Sequence, residues 1–146
     1  MIDMDIVPYL PQHAAEILDV VSEGMIDGRQ YAEQLTESTF AVTLMAPDGP
    51  VLSTGLGDLW PGVAEAWMVA HPEMIQLAPR SIARATKEVF EQKIAGYRRV
   101  QISVRDDWPT ALRFARFLGF EDEGLMRMYG PDHRDYRRLS IVRGIQ

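Results

Sequence analysis

Glu65 and His71 lie in a run, Val63 to His71, whose alternation predicts a strand with Glu65, Trp67, Val69 and His71 on one face and Ala64, Ala66, Met68 and Ala70 on the other. A carboxylate and an imidazole on one strand face are groups able to take a proton from a reacting partner. The competing readings are structural: Glu65 as a solvated strand position, and His71 as a cap where the strand ends before Pro72. Other chemistries are excluded by composition. The 146 residues include no cysteine and three histidines, His13, His71 and His133, far apart in sequence. Disulfide scaffolds, thiol nucleophiles, zinc fingers and iron–sulfur centres therefore fall away. The eight methionines read as fillers of core gaps.

The net charge of −6 conceals a polarity along the chain. Residues 1–73 hold twelve acids and one base, Arg29, whereas residues 74–146 hold nine acids and fourteen bases. Either the chain presents a basic surface to an anion and an acidic one to a cation, or its halves attract each other in the fold. A pI of about 5.0 and the absence of a basic, aromatic-interleaved motif disfavour nucleic acid. No apolar run approaches the length of a membrane span, and Asp3, Asp5 and Glu16 do not suit a signal peptide, so a cytoplasmic location away from membranes is expected.

The elements that must position these groups read as one continuous domain, residues 1–146. Asp5 to Pro8 is a first strand, and Pro11 opens an amphipathic helix through Ala14, Ile17, Leu18 and Val21 that stops near Gly24. A second helix is expected from about Asp27 to Leu35. Thr39 to Met45 and Val51 to Leu56 form a hairpin about Pro47 to Pro50, and Gly57 to Gly62 reads as a further turn. After the strand at Val63, Pro79 starts a helix to about Ala95, closed by Gly96, with Ile82, Ala85, Val89, Phe90 and Ile94 as its buried stripe. Val100 to Val104 reads as a buried strand. Trp108-Pro109 opens a helix ending at Leu118-Gly119, with Leu112, Ala115 and Phe117 as packing residues. Strands at about 120–129 and 136–143 complete the chain around the turn Gly130-Pro131-Asp132. Hairpins mixed with helical crossovers predict an α/β (α+β) fold, with a mixed sheet of about seven strands and helices on both faces.

That order, with the segment Asp106 to Gly124, resembles the GCN5-related N-acetyltransferase (GNAT) superfamily. Its last-helix signature is matched by Ala111, Gly119, Phe120 and Gly124. The resemblance implies a mostly antiparallel twisted sheet and transfer of an acetyl group from acetyl-coenzyme A to a primary amine by direct attack. It implies pantetheine alignment by the strand around Met68 and Val69, and pyrophosphate binding at the following helix start, where backbone N–H groups meet phosphate. The family's cofactor loop is written Gln or Arg, two residues, Gly, one residue, then Gly or Ala. Here one register leads with Gln76 and places Pro79 and Ser81 at the small positions; the other leads with Arg80, followed by Ala83 and Ala85. Neither has a glycine. The first keeps the shorter distance from the strand, and Arg80 and Arg84 supply charge where Pro79 lacks an N–H.

The catalytic pattern departs as well. Ala115 stands where many members place a tyrosine that protonates the departing thiolate, and Trp108 replaces an asparagine near the helix start. Under the resemblance, Glu65 and His71 become candidate bases for the incoming amine, and Tyr129 or Tyr136 the acid. Arg134, Arg137 and Arg138 suit either the ribose phosphate of coenzyme A or the protection of an edge strand. The acidic N-terminal half favours a cationic acceptor, such as a polyamine, aminoglycoside or lysine-bearing protein. The degenerate loop and the run Arg113-Phe114 to Phe120 also resemble short acetyltransferase-like proteins of tailed bacteriophages, including internal virion proteins. The alternative expectation is thus a catalytically silent fold acting as a virion-associated assembly component or an interaction module, with a phage or host protein or a second copy of the chain as partner.

Overall fold

The computed structural model describes residues 4–21 and 28–143. The strands are β1 (Asp5–Pro8), β2 (Phe40–Ala46), β3 (Gly49–Trp60), β4 (Val63–Ala70), β5 (Arg99–Arg105), β6 (Glu121–Met126) and β7 (Tyr136–Val142). The helices are α1 (Pro11–Val21), α2 (Gly28–Gln34), α3 (Pro72–Ile75), α4 (Pro79–Lys93) and α5 (Pro109–Phe117), with a single 3-10 turn at Leu35–Glu37. The seven strands are ordered β1-β2-β3-β4-β5-β7-β6. The β1/β2, β2/β3, β5/β7 and β6/β7 pairs are antiparallel, and β4/β5 is parallel. This is the mixed, mostly antiparallel sheet expected from the sequence. The expected stop at Gly24 and start at Asp27 lie outside the described residues.

The chain forms two compact units, residues 1–57 with 67–82, and residues 58–66 with 83–146. In the first, α1 and α2 contribute Ala14, Ile17, Leu18 and Ala32 to a core with Tyr9, Leu35 and Val69. Tyr9 stacks edge-on against Trp67 at 5.3 Å and donates its hydroxyl to the Ala32 carbonyl at 2.7 Å. Burial raises the Tyr9 phenol to about 12. A polar chain crosses this unit: Thr43 Oγ1 lies 2.8 Å from both His13 Nδ1 and Ser53 Oγ. The Leu10 amide donates to the same Nδ1, and burial holds the imidazole below its ordinary value. Gly55 is obligatory here, because a Cβ would enter the Phe40 carbonyl and the Trp67 indole.

In the second unit, β5 alternates. Val100, Ile102 and Val104 are buried, whereas Arg99, Gln101, Ser103 and Arg105 are half-buried on the opposite face. The expected buried strand is therefore buried through Val100, Ile102 and Val104 alone, because only its apolar face is packed. Phe90 of α4 and Phe120 meet edge-on at 6.2 Å in that core, with Leu112, Ala115 and Leu118 of the α5 region buried as well. The end of α5 has a Schellman geometry. Gly119 at φ +108 donates to Arg116 O at 3.0 Å, and Phe120 N donates to Ala115 O at 3.1 Å. The helix stop and the aromatic plug read from the sequence are present as expected.

Three further local expectations change. Residues 57–60 continue β3, and the turn contracts to Pro61-Gly62, with Gly62 at φ +85 in the proline-then-glycine order of a type II turn. Arg98 fastens it by donating from Nη1 to the Pro61 carbonyl at 2.8 Å, and Tyr97 hydrogen-bonds Asp58. A short helix, α3, precedes α4 because His71 and Pro72 together make a helix start. Phe117 is 43% exposed rather than packed, since the buried stripe of α5 passes through Leu112, Ala115 and Leu118.

Candidate active site

The polar face of the second unit gathers chemistry-bearing side chains from three strands. The β4/β5 ladder runs over three pairs and ends at Glu65 and Gln101. On the next same-face position of β5 stands Ser103, paired across to Arg138 of β7, and Arg105 pairs with Tyr136. Arg138 Nη1 donates to both Glu65 oxygens, at 3.1 and 2.9 Å, and Gln101 Nε2 donates to Oε1 at 2.9 Å. Glu65 is thus a clamped carboxylate with a lone pair left on Oε2. Tyr129 is exposed on the β6–β7 connection; its hydroxyl lies 3.5 Å from Ser103 Oγ and its ring is tilted against Tyr136 at 5.5 Å. Gly130 allows this approach, since a Cβ there would enter the Tyr136 ring.

Beside this group Arg99 grips Glu123 through two nitrogens at 2.9 and 2.6 Å, and Ser140 Oγ donates to the same carboxylate at 2.8 Å. Those Arg99 bonds, and then the one from Ser140, hold the Glu123 carboxyl at about 2. The folded value lies below the unfolded one, so the stability it confers is complete above about 4.5 and lost as pH falls towards 2. The carboxylate is well exposed, which reduces the contribution to about 1 kcal/mol. Urea titrations of Glu123→Gln against the parent are expected to show that gap at pH 7 and its closure towards pH 2; a gap independent of pH would contradict the assignment.

In the first unit, Met68 is half-buried and Val69 buried on β4. His71 sits at the helix start, where its Nδ1 accepts from the Glu73 and Met74 amides, each at 3.2 Å. That is the capping arrangement weighed from the sequence, and it makes Nε2 the protonated, donating nitrogen of the neutral ring. Gln76, Arg80 and Ser81 are exposed. The first closing bond of α4 runs from Ile82 N to Ala78 O at 3.0 Å. Pro79 therefore occupies the first helical position, where its missing N–H would have been an orphan anyway, and the Arg80 and Ser81 amides have no protein acceptor among the described residues. A cleft of about 700 Å3 in the same unit is lined by Gln12, His13, Glu16, Asp19 and Glu33, among others.

The remaining expected residues fall in the second unit. Arg84 is exposed on α4, and Trp108 is a half-buried cap of α5 whose side chain makes no capping bond. Among the ion pairs formed by the arginines from Arg99 to Arg138, Arg138–Glu65 joins the acidic half of the sequence to the basic half. The rest link arginines to acids of residues 99–137, such as Arg137 to Asp106 at 2.7 Å and Arg134 to Asp107 at 2.8 Å. Gln101 and Ser103 were missed as site residues, although the alternation Arg99, Gln101, Ser103, Arg105 was available to show a polar strand face. Among the described residues no group of acids and histidines could hold a metal, and no helix is long and apolar enough to cross a membrane.

Comparison with solved structures places this architecture in a known class. The chain has the fold of the GNAT acetyltransferases. It is similar to Ard1 from Thermoplasma volcanium, with a TM-score of 0.76 and 12% identity over 97% of this chain and 99% of that one. It is likewise similar to the ribosomal-protein-S18-alanine N-acetyltransferase of Escherichia coli, with a TM-score of 0.75 and 14% identity over 99% and 96% of the two chains. No protein-family model matches the sequence. Curated relatives are proteins described as putative S-adenosyl-L-methionine-dependent methyltransferases. One from Mycobacterium sp. (strain KMS) is 30% identical over 61% of this chain and 32% of its own length. Another from Mycolicibacterium smegmatis is 26% identical over 90% of this chain and 44% of its own length. The chain thus spans less than half the length of these relatives.

Proposed function

We propose that the chain is an acetyl-coenzyme A-dependent N-acetyltransferase acting on a cationic primary amine. The observation that carries this reading is the hydroxyl pair Ser103–Tyr129, set just past the end of the parallel β4/β5 ladder in an acetyltransferase fold. Support for the cosubstrate comes from the first turn of α4, where the Arg80 and Ser81 amides, without a protein acceptor among the described residues, and the exposed Arg80 residue suit an anionic pyrophosphate. A protein of similar fold, microcin C7 self-immunity acetyltransferase, is described in complex with acetyl-CoA. Gln76 belongs to the same helix approach, and the backbone at Met68 and Val69 of the same unit aligns the pantetheine.

In the reaction the amine lone pair attacks the thioester carbonyl carbon; the C–N bond forms and the C–S bond breaks. The nitrogen loses a proton and the thiolate gains one. Glu65 receives the amine proton through water at Oε2, with Arg138 and Gln101 fixing the carboxylate, whereas His71, whose Nδ1 accepts from two backbone amides, carries its proton on Nε2 and is not the acceptor. Tyr129 supplies the thiolate's proton. Positioning of the two substrates provides much of the rate. The surplus of acids in residues 1–73 supports a cationic acceptor class, such as a polyamine or a lysine-bearing protein. Calorimetric titration with acetyl-coenzyme A is expected to show binding, weakened by about 1.5–3 kcal/mol in Arg80→Ala, the usual worth of a hydrogen bond to a charged group. Thiol release with a panel of polyamines and lysine peptides then reads the turnover. Absence of binding at millimolar acetyl-coenzyme A would overturn the proposal.

A further inference from the structure

The connection from β6 to β7, residues 127–135, carries the proposed proton donor and two residues in the left-handed region, Met128 at φ +55 and His133 at φ +64. Neither is a glycine, and a Cβ makes that conformation unfavourable unless the surroundings hold it. A local turn holds His133: its amide donates to the Gly130 carbonyl at 2.9 Å, and the Gly130 amide donates to the Arg134 carbonyl at 3.2 Å. Met128 is held from outside that turn. Its amide donates to Asp135 Oδ1 at 3.0 Å. The Asp135 carbonyl in turn accepts from the Asp106 amide at 3.0 Å, directly after β5. Asp135 therefore ties the residue before Tyr129 to the end of the strand that carries Ser103. The neighbouring acids are used differently. Asp106, Asp107 and Asp132 each pair with an arginine, at 2.7, 2.8 and 3.6 Å. Asp135 is half-buried and forms no ion pair among the described residues, although Arg134 precedes it. Its carboxylate is directed to the Met128 amide, a charge-assisted bond.

We propose that Asp135 is a positioning residue for Tyr129, holding Met128 in the left-handed turn from which Tyr129 directs its hydroxyl towards Ser103. The inference rests on the acetyltransferase reading, in which Tyr129 supplies the thiolate's proton, and goes beyond it by assigning that geometry to a residue that touches no reacting atom. Asp135 exchanges no proton itself. The dihedral at residue 128 sets the direction in which the chain, and with it the Tyr129 ring, leaves the turn. Met128 is 68% exposed, so burial does not hold that dihedral and the hydrogen bond does. Tyr129 is half exposed as well, located by the tilted Tyr136 ring at 5.5 Å and the Ser103 hydroxyl at 3.5 Å. Without the Asp135 bond the turn relaxes, and the hydroxyl spends less of its time where the thiolate forms.

A double-mutant cycle on the full chain tests this, read as thiol release from acetyl-coenzyme A with spermidine, spermine and a lysine peptide as probe amines. Asp135→Ala is expected to lower kcat about tenfold with little change in KM for acetyl-coenzyme A, as for a donor loosened rather than lost. In the Tyr129→Phe background the same substitution should have no further effect, because no hydroxyl is left to position. Asp135→Asn keeps an oxygen able to accept the Met128 amide and should retain most of kcat. Met128→Val opposes the same turn from the other side of the bond, since a β-branched residue resists positive φ, and should reproduce the fall, so the outcome does not rest on the folding of one variant. An equal fall from Asp135→Ala in both backgrounds, or full kcat in either Asp135→Ala or Tyr129→Phe, would overturn the positioning role while leaving the acetyltransferase reading intact. Absence of thiol release by the parent with all three amines would overturn both.

Discussion

Replacing Phe120 by alanine is expected to cost about 3–5 kcal/mol of folding stability, the range for deleting a large aromatic from a packed core. The ring is 2% exposed and meets Phe90 edge-on at 6.2 Å, so its removal leaves a cavity between α4 and the strand it covers. The surrounding structure has little freedom to fill it. The Phe120 amide is tied to the Ala115 carbonyl at 3.1 Å and Gly119 is held at φ +108, so the chain cannot slide inwards. Chemical denaturation read by far-ultraviolet circular dichroism measures the loss. A shift below about 1 kcal/mol, the scale of a surface change, would show that the glycine–aromatic plug is not a core element. Phe120→Leu keeps much of the volume and is expected to recover most of the stability.

Tyr129→Phe is expected to lower kcat by about 10²–10³-fold, within the range attributed to a positioned proton donor, with little change in KM for acetyl-coenzyme A. The substitution keeps the ring and its 5.5 Å contact with Tyr136, and removes only the hydroxyl that lies 3.5 Å from Ser103 Oγ. Because Tyr129 is half exposed, folding stability should hardly move. Ser103→Ala, which deletes the neighbour but not the proposed donor, should have a smaller effect. Retention of full kcat in Tyr129→Phe would transfer the donor's role to another group or to water. A parallel loss in affinity for the acceptor would instead make the tyrosine a binding residue.

Elements that depend on local chemistry were legible in the sequence. The proline-started helices α4 and α5, the Gly119 cap and the Phe120 plug follow from one residue's allowed dihedrals and its neighbour's burial, and the structure has each of them. The mixed, mostly antiparallel sheet of seven strands was expected too, but its spatial order, with β7 between β5 and β6, was not. Local reading was weaker where competing short-range signals overlapped. Gly57 suggested a turn that the continuing β3 backbone overrides, and the His71-Pro72 pair, read as a strand end, also starts the helix α3.

The site depended on the third dimension. Nothing in the spacing of Glu65 and Arg138 announces that two β7–β5–β4 steps bring them to 2.9 Å, and that contact turns an apparently free carboxylate into a clamped one. The charge polarity of the chain was visible from composition, but whether an arginine is neutralised is settled by a few ångströms of register. Strand pairing gives Arg99, Arg137 and Arg138 their acids, while Arg84 and Arg113, exposed on helices, have no ion pair among the described residues. Residue types and periods determine which elements form and which faces are buried, because those are local and hydrophobic effects. Which polar groups touch depends on cross-strand register and helix direction, because ion pairs and hydrogen bonds act over distances shorter than the uncertainty of any sequence-based placement.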